Sequence, residues 1–260
     1  MGGDKRAQPA HGTDWGAGAL TLAAECTRAS TAVSPVLTSL VAVVVAYLVG
    51  SLSFAVIVSR GFGLADPRSY GSKNPGATNV LRSGHRAAAI LTLALDALKG
   101  YLPVWLALWL SPRFGFGDAT IAGVGLAAFL GHLWPVFFRF EGGKGVATAA
   151  GVLLAFNPWL GLATLATWVI IALFLRYSSL ASIVAAVFAP FYQLLIWEPS
   201  AISLAIAVMS LLLVWRHSGN IRKLLAGTES KLGHKAAAAV PPVAHGHHKH
   251  DHGKRKGHSA

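Results

Sequence analysis

The stretch "GVATAAGVLLAFNPWLGLATLATWVIIALFL", residues 145–175, decides the fold. It is almost wholly apolar. As one helix it would run about 46 Å, too long for a bilayer core of about 30 Å. Asn157-Pro158 is a helix-breaking pair, so the stretch reads as two spans, 145–157 and 158–175, with "FNPWLG" turning the chain between them. Working outward, five more apolar stretches stand at 35–58, 87–110, 119–138, 179–197 and 200–215. The expected fold is therefore all-α: a polytopic integral membrane protein of about seven transmembrane helices. Composition agrees, with 54% hydrophobic and 12% charged residues, about half the charge of a soluble domain.

Seven is odd, so the two ends fall on opposite sides. The loop 59–86 carries Arg60, Arg68, Lys73, Arg82 and Arg86; by alternation Arg139, Lys144, Arg176, Arg216, Arg222 and Lys223 share its side. The other side offers Arg113, the Asn157-Pro158 turn and Glu198. The positive-inside rule makes the basic side cytoplasmic, with the N-terminus outside and the C-terminus inside. Almost every polar, glycine-rich loop then lies on one face. That asymmetry suits an enzyme at the membrane surface. A carrier for an organic phosphate, the rival reading, would show paired broken helices at the midplane, and only "FNPWLG" reads as a break. A non-catalytic scaffold would leave the glycine-lysine loop unexplained.

The termini read differently. Residues 1–33 are rich in small residues, and their apolar run "AGALTLAA" is too short to span. They are expected to form a poorly ordered extension, or to follow from a start codon placed too early. Residues 231–260 contain "HGHHKHDHGKRKGH", with six of the eleven histidines, and read as a disordered basic tail. Weak metal binding or contact with anionic lipid are its sharper alternatives. The core domain is 34–230. Lone Cys26 excludes an internal disulfide and any multi-cysteine metal site, and no metal, cofactor or nucleic-acid partner is expected.

Four loops on the basic side can carry chemistry. In "GSKNPGATNVLRSG" (71–84) glycines let backbone approach a ligand, and Ser72, Asn74, Thr78 and Asn79 add neutral hydrogen-bonding groups. Arg82 can fork onto phosphate oxygens; a capped turn before the second span is the plainer reading. In "GHLWPVFFRFEGGKGVAT" (131–148) Gly142, Gly143 and Gly145 flank Lys144 just before a helix N-terminus, a well-made anion site. The Walker A spacing is absent, so nucleotide hydrolysis has no support. His132 and Trp134 read as interfacial packing. In "RYSSLAS" (176–182) Ser178 and Ser179 could simply N-cap a helix. In "WRHSGNIRKLLAGTE" (215–229) His217, Asn220 and Glu229 follow the membrane exit, with an amphipathic interfacial helix as the plainer alternative. Asp96 and Lys99, at i, i+3 inside the second span, can neutralise one another; they form either a structural bridge or a site.

Together and in this order these loops resemble the bacterial acyl-phosphate:glycerol-3-phosphate acyltransferases. The matching stretches are "GSLSF" (50–54), "GSKNPGATNVLR" (71–82), "LDALKG" (95–100), "GHLWPVFFRFEGGKGVAT" (131–148), "RYSSLAS" (176–182), and "RHSGNI" with "GTE" (216–229). Lys73 departs from the pattern, which has glycine there. The resemblance implies a seven-helix enzyme of the bacterial inner membrane with a cytoplasmic active face. It would transfer a fatty acyl group from acyl phosphate to the 1-hydroxyl of sn-glycerol 3-phosphate, giving lysophosphatidic acid and inorganic phosphate in the first step of phospholipid synthesis. Implied partners are these two substrates, membrane lipid and an upstream acyl-phosphate-forming enzyme.

Carried over residue by residue, Ser72, Arg82, His217 and Asn220 would be catalytic. Asn74, Gly76, Thr78, Asn79, Gly142, Gly143, Lys144, Gly145, Ser178 and Ser182 would bind substrate. Asp96, Lys99 and Glu229 would be structural or touch substrate. The His-x-x-x-x-Asp pair of other glycerolipid acyltransferases is absent. The general base is then either His217 or, as we favour, a substrate phosphate oxygen with a second pKa near ~6.

Overall fold

A computed structural model describes residues 34–232. The N-terminal extension 1–33 and residues 233–260 of the basic tail lie outside the described residues. Every regular element among those described is helical: α1 Pro35–Gly50, α2 Phe54–Gly61, α3 Ala77–Leu81, α4 Arg86–Phe114, α5 Asp118–Leu133, α6 Val146–Phe156, α7 Pro158–Leu175, α8 Ser178–Ile196, α9 Ala201–Arg216 and α10 Ser218–Leu225. A 3-10 turn, Val136–Phe138, follows α5. By length and composition α4, α5 with its 3-10 turn, α7 and α8 can each cross a membrane. The bent pairs α1/α2 and α9/α10 qualify when each pair is taken together. At 11 residues α6 is shorter, about 16 Å.

The break at Asn157 is built as its residues dictate. Asn157 closes α6, and its Oδ1 accepts from Trp159 N at 2.9 Å and Leu160 N at 3.3 Å. Pro158 occupies the first position of α7, where its missing N–H costs nothing. Three boundaries differ from expectation. The stretch 35–58 is not one straight helix: it breaks at Ser51–Ser53 and bends by 43°. The freed Leu52 carbonyl accepts from the buried Lys99 Nζ at 2.6 Å, so a charged side chain supplies what the helix ladder lost. The helix of the stretch 87–110 does not end there: α4 runs on through Pro112 to Phe114 and stops where Gly115 turns left-handed at φ 69°. Tyr177, not a serine, precedes α8, and no side chain caps that helix.

Glycines set the packing. A Cβ on Gly100 of α4 would overlap the Thr148 carbonyl of α6, and one on Gly151 would overlap the Ala97 carbonyl. The same holds for Gly50 against Ala128 and for Gly131 against Tyr47. Backbones in contact replace lipid between helices, as small residues allow in membranes. The two crossings draw α1, α4, α5 and α6 into one core around Phe129, Leu133, Val104 and Val152. They also gather loops 62–85, 134–145, 176–177 and 217–232 at one end of the bundle.

Gly151→Val is therefore expected to destabilise by about 1–3 kcal/mol, because the overlapping atoms are rigid backbone. Gly61→Ala, with nothing within 4 Å of the added methyl, is the control and should leave the melting temperature in detergent unchanged or raised.

Candidate active site at the polar end of the bundle

The glycine-lysine turn is shaped by what surrounds it. Gly142 and Gly143 press on the His132 backbone and imidazole so closely that a Cβ on either would overlap them. Gly143 N donates to the His132 carbonyl at 3.1 Å, and Gly145 turns left-handed at φ 82° to start α6. From the end of α9 the Arg216 guanidinium reaches across. Its Nη2 donates to the carbonyls of Gly142 at 2.8 Å and Gly143 at 2.9 Å, and its Nε donates to Gly143 at 3.1 Å. Both carbonyls are thereby tied back, which restrains the turn.

Lys144 Nζ, just beyond that turn, donates to Asn220 Oδ1 of α10. The other end of the amide, Asn220 Nδ2, donates to Glu229 Oε1 at 2.7 Å, which also accepts from Ser179 Oγ at 2.7 Å. Arg82, after α3, donates to Ser230 Oγ at 2.9 Å. One network thus joins all four loops. Burial pushes the Lys144 ammonium down to about 8, against the pull of Glu229; Arg216, Lys223 and Arg82 add repulsion. His217 is buried behind it with Nδ1 2.8 Å from the Leu213 carbonyl. A carbonyl only accepts, so Nδ1 carries the proton and Nε2 keeps its lone pair. Burial lowers this imidazole to about 4, leaving a neutral acceptor and a weak base.

Not every expected residue faces the cleft. Asn79 is only 2% exposed and organises its own loop: Oδ1 accepts from Ser72 N at 3.0 Å, and Nδ2 donates to the carbonyls of Pro67 at 2.6 Å and Tyr70 at 3.2 Å. Ser72 and Thr78 are exposed at the loop surface, while Asn74 and Gly76 are half-buried. Ser182 Oγ donates to the Ser178 carbonyl at 2.8 Å and accepts from Trp168 at 3.0 Å, so it packs inside the bundle. Asp96 and Lys99 lie beneath the turn. Their charges are 2.8 Å apart, and Asp96 Oδ1 is 3.7 Å from His132 Nδ1, which meets Thr148 Oγ1 at 3.1 Å.

Two features escaped the sequence reading. In the sequence Arg216 reads as a topological cation at the start of "RHSGNI", although it adjoins His217 and the glycine turn exposes carbonyls that need a donor. Arg68 binds Asp66 at 2.8 Å and Glu141 at 3.4 Å, linking the first two loops. A polar cleft of about 440 Å³ opens between these loops, lined by Arg68, Lys73, Pro75, Phe140, Glu141, Gly142 and Arg216.

A family model described as glycerol-3-phosphate acyltransferase matches residues 40–227. The glycerol-3-phosphate acyltransferase of Ralstonia pickettii is 65% identical over 206 residues, covering 79% of this chain and all of that protein. That of Paraburkholderia xenovorans is 63% identical over 208 residues, covering 79% and 97%. The crystal structure of PlsY (YgiH), an integral membrane glycerol 3-phosphate acyltransferase in its glycerol 3-phosphate form, superposes with a TM-score of 0.71. It is 40% identical and covers 75% of this chain and 96% of that one. Its lysophosphatidic acid form superposes with a TM-score of 0.69 at 39% identity, with the same coverage. With a family model matched over residues 40–227 and relatives above 60% identical covered almost end to end, the chain belongs to the glycerol-3-phosphate acyltransferase family.

Proposed function

We propose that the protein transfers a fatty acyl group from acyl phosphate to the 1-hydroxyl of sn-glycerol 3-phosphate, releasing lysophosphatidic acid and inorganic phosphate. The observation that carries this reading is the Lys144 ammonium, held beside a rigid glycine turn by an uncharged amide. A carboxylate there would neutralise it; an amide orients it and leaves its charge for a phosphate. Solved relatives in glycerol 3-phosphate and lysophosphatidic acid forms support the acceptor and the product.

In this scheme the acceptor hydroxyl attacks the acyl carbonyl carbon, the bond from that carbon to the phosphate oxygen breaks, and phosphate leaves. The acyl phosphate is already activated, so positioning and charge stabilisation suffice and no covalent enzyme intermediate is needed. The hydroxyl proton passes to a phosphate oxygen, since His217, lowered to about 4, is a poor competitor for it. Lys144, Arg82 and the Gly142–Gly145 turn hold phosphate, together with Ser72, Asn74, Gly76 and Thr78 of the first loop. Asn220 aims Lys144, and Glu229 with Ser179 aims Asn220. Asn79, Ser178, Ser182, Asp96 and Lys99 support the site through the contacts described above. A carrier reading would draw on the two bent pairs, but the Leu52 carbonyl at the first break is taken up by Lys99, and His217 at the second is bonded to the Leu213 carbonyl.

The polar end faces the cytoplasm in a seven-span arrangement of the bacterial inner membrane, within reach of an upstream enzyme that makes acyl phosphate. The excess of basic residues at that end supports this orientation.

Purified protein in detergent should release phosphate from acyl phosphate only when glycerol 3-phosphate is present, and should not use acyl-CoA. Comparable rates with both donors would sink this account of donor recognition.

Lys144→Ala should cost one charge-assisted hydrogen bond to phosphate, about 1.5–3 kcal/mol, or roughly ten- to over a hundredfold in kcat/KM. Lys144→Arg should rescue only partly, because a planar fork does not reproduce a point charge. Near-normal kinetics of a folded Lys144→Ala protein would reduce the loop to a turn.

In a Cys26→Ser background, a cysteine at position 117 should label from outside intact cells and one at position 83 should not. The reverse pattern would invert the assignment of the active face.

A further inference from the structure

Lys73 is one of four non-glycine residues with positive φ among those described, at 56°. An L-residue there costs about 1–2 kcal/mol relative to its ordinary conformations, and glycine would avoid it. The strain is not repaid by a local contact. Among the described residues no carboxylate or carbonyl accepts from the Lys73 ammonium; its backbone N–H alone is bonded, to the Tyr70 carbonyl at 2.9 Å. The side chain is exposed and lines the 440 Å³ cleft with Arg68 and Arg216.

The charges around that cleft do not cancel. Arg68 is matched by Asp66 and Glu141. Arg216 is spent on two neutral carbonyls and keeps its full charge. Lys73 and Arg216 line the same opening as Glu141, and among the described residues neither has a carboxylate partner. Arg68, Lys73 and Arg216 outnumber Asp66 and Glu141, so the cleft keeps a net positive charge, which attracts a small dianion and raises its local concentration. Lys144 is bonded to Asn220 on α10, a residue that does not line this cleft; only Gly142 and Arg216 belong to both surroundings.

We infer that Lys73, with Arg216, forms an entry subsite that captures the water-soluble phosphate dianion before it reaches Lys144. The backbone strain at Lys73 is retained for that charge. This inference rests on the proposed acceptor, and it makes Lys73 a binding residue rather than a catalytic one.

Three variants separate charge from backbone: Lys73→Gly removes strain and charge, Lys73→Gln removes charge alone, and Lys73→Arg keeps charge. Binding of sn-glycerol 3-phosphate is measured by calorimetry at low and high salt, alongside kcat and KM. We expect Lys73→Gly and Lys73→Gln to raise both Kd and KM about three- to fivefold, the yield of one partly exposed ion pair. They should leave kcat within about twofold, and the difference should fade near ~0.5 M salt as screening shortens to a few ångströms. Lys73→Arg should match the unaltered protein, and Lys73→Gly should melt higher. Unchanged Kd in both neutral variants, or a rise in Lys73→Gly alone, overturns the subsite. Failure of the acceptor reading would look different: the unaltered protein would neither turn over nor bind glycerol 3-phosphate better than inorganic phosphate. In that case, inorganic phosphate binding that falls in both neutral variants supports the subsite, and binding that does not fall overturns it.

Discussion

A lysine ammonium held by an amide is the constraint on which this structure turns. A half-buried ammonium is costly unless paired, and the simplest pairing would be a carboxylate. Glu229 is within reach of the network but is set one residue back, accepting from Asn220 and Ser179 rather than from Lys144. The charge on Lys144 is therefore steadied by Glu229 without being cancelled. Keeping that arrangement requires the chain after α9 to bend by 55°, run through α10, and bring residues 229–230 back over the first and third loops. The position of the last described segment follows from the needs of one side chain.

The same constraint reaches into the bundle. The glycine turn can be rigid only if its N–H and carbonyl groups are met: the His132 carbonyl accepts from Gly143 N, Arg216 donates to the turn's carbonyls, and the His132 ring meets Thr148 beneath it. His132 in turn lies beside Asp96, paired with Lys99, which closes the break in the first bent pair through Leu52. A buried ion pair is seldom a net source of stability. Here it links α4 to the break after α1 through Leu52 and to α5 through His132, beside the close backbone approaches at Gly100, Gly131 and Gly151, and it holds a broken helix in register with the turn. Close helix approach and polar continuity are two sides of one design: small residues bring backbones together, and the few charges between them fix the register.

Much of this was legible in the residues. Apolar stretches and Asn157-Pro158 marked the segments, and glycine clusters with scattered cations marked the loops, because those signals are local in sequence. What was hidden is long-range. Nothing in "GSLSF" says that a lysine 47 residues later will replace the missing helix bond, so the break looked like continuous helix. Arg216 resembled any cation at a membrane exit until its carbonyl partners, 73 and 74 residues away, came into view. Asn79 and Ser182 have the chemistry of ligand-binding groups but spend it on neighbours. Composition cannot distinguish a side chain facing a cleft from one facing its own loop. Lys73 was visible as a departure from the family pattern, and its positive φ explains why glycine is at home there.

The central claim is that Lys144 meets phosphate as an under-compensated, partly desolvated ammonium. The most direct test is proton uptake on binding glycerol 3-phosphate, measured calorimetrically in buffers of different ionisation enthalpy. With Lys144 at about 8 in the free protein, an arriving dianion should raise that value. A fraction of a proton should then be taken up per ligand between roughly pH 7.5 and 9, where the phosphate, with a second pKa near ~6, is already fully ionised. The account predicts this uptake in the unaltered protein and its loss in Lys144→Met. Binding without proton uptake in that window, or uptake that survives in Lys144→Met, would contradict it.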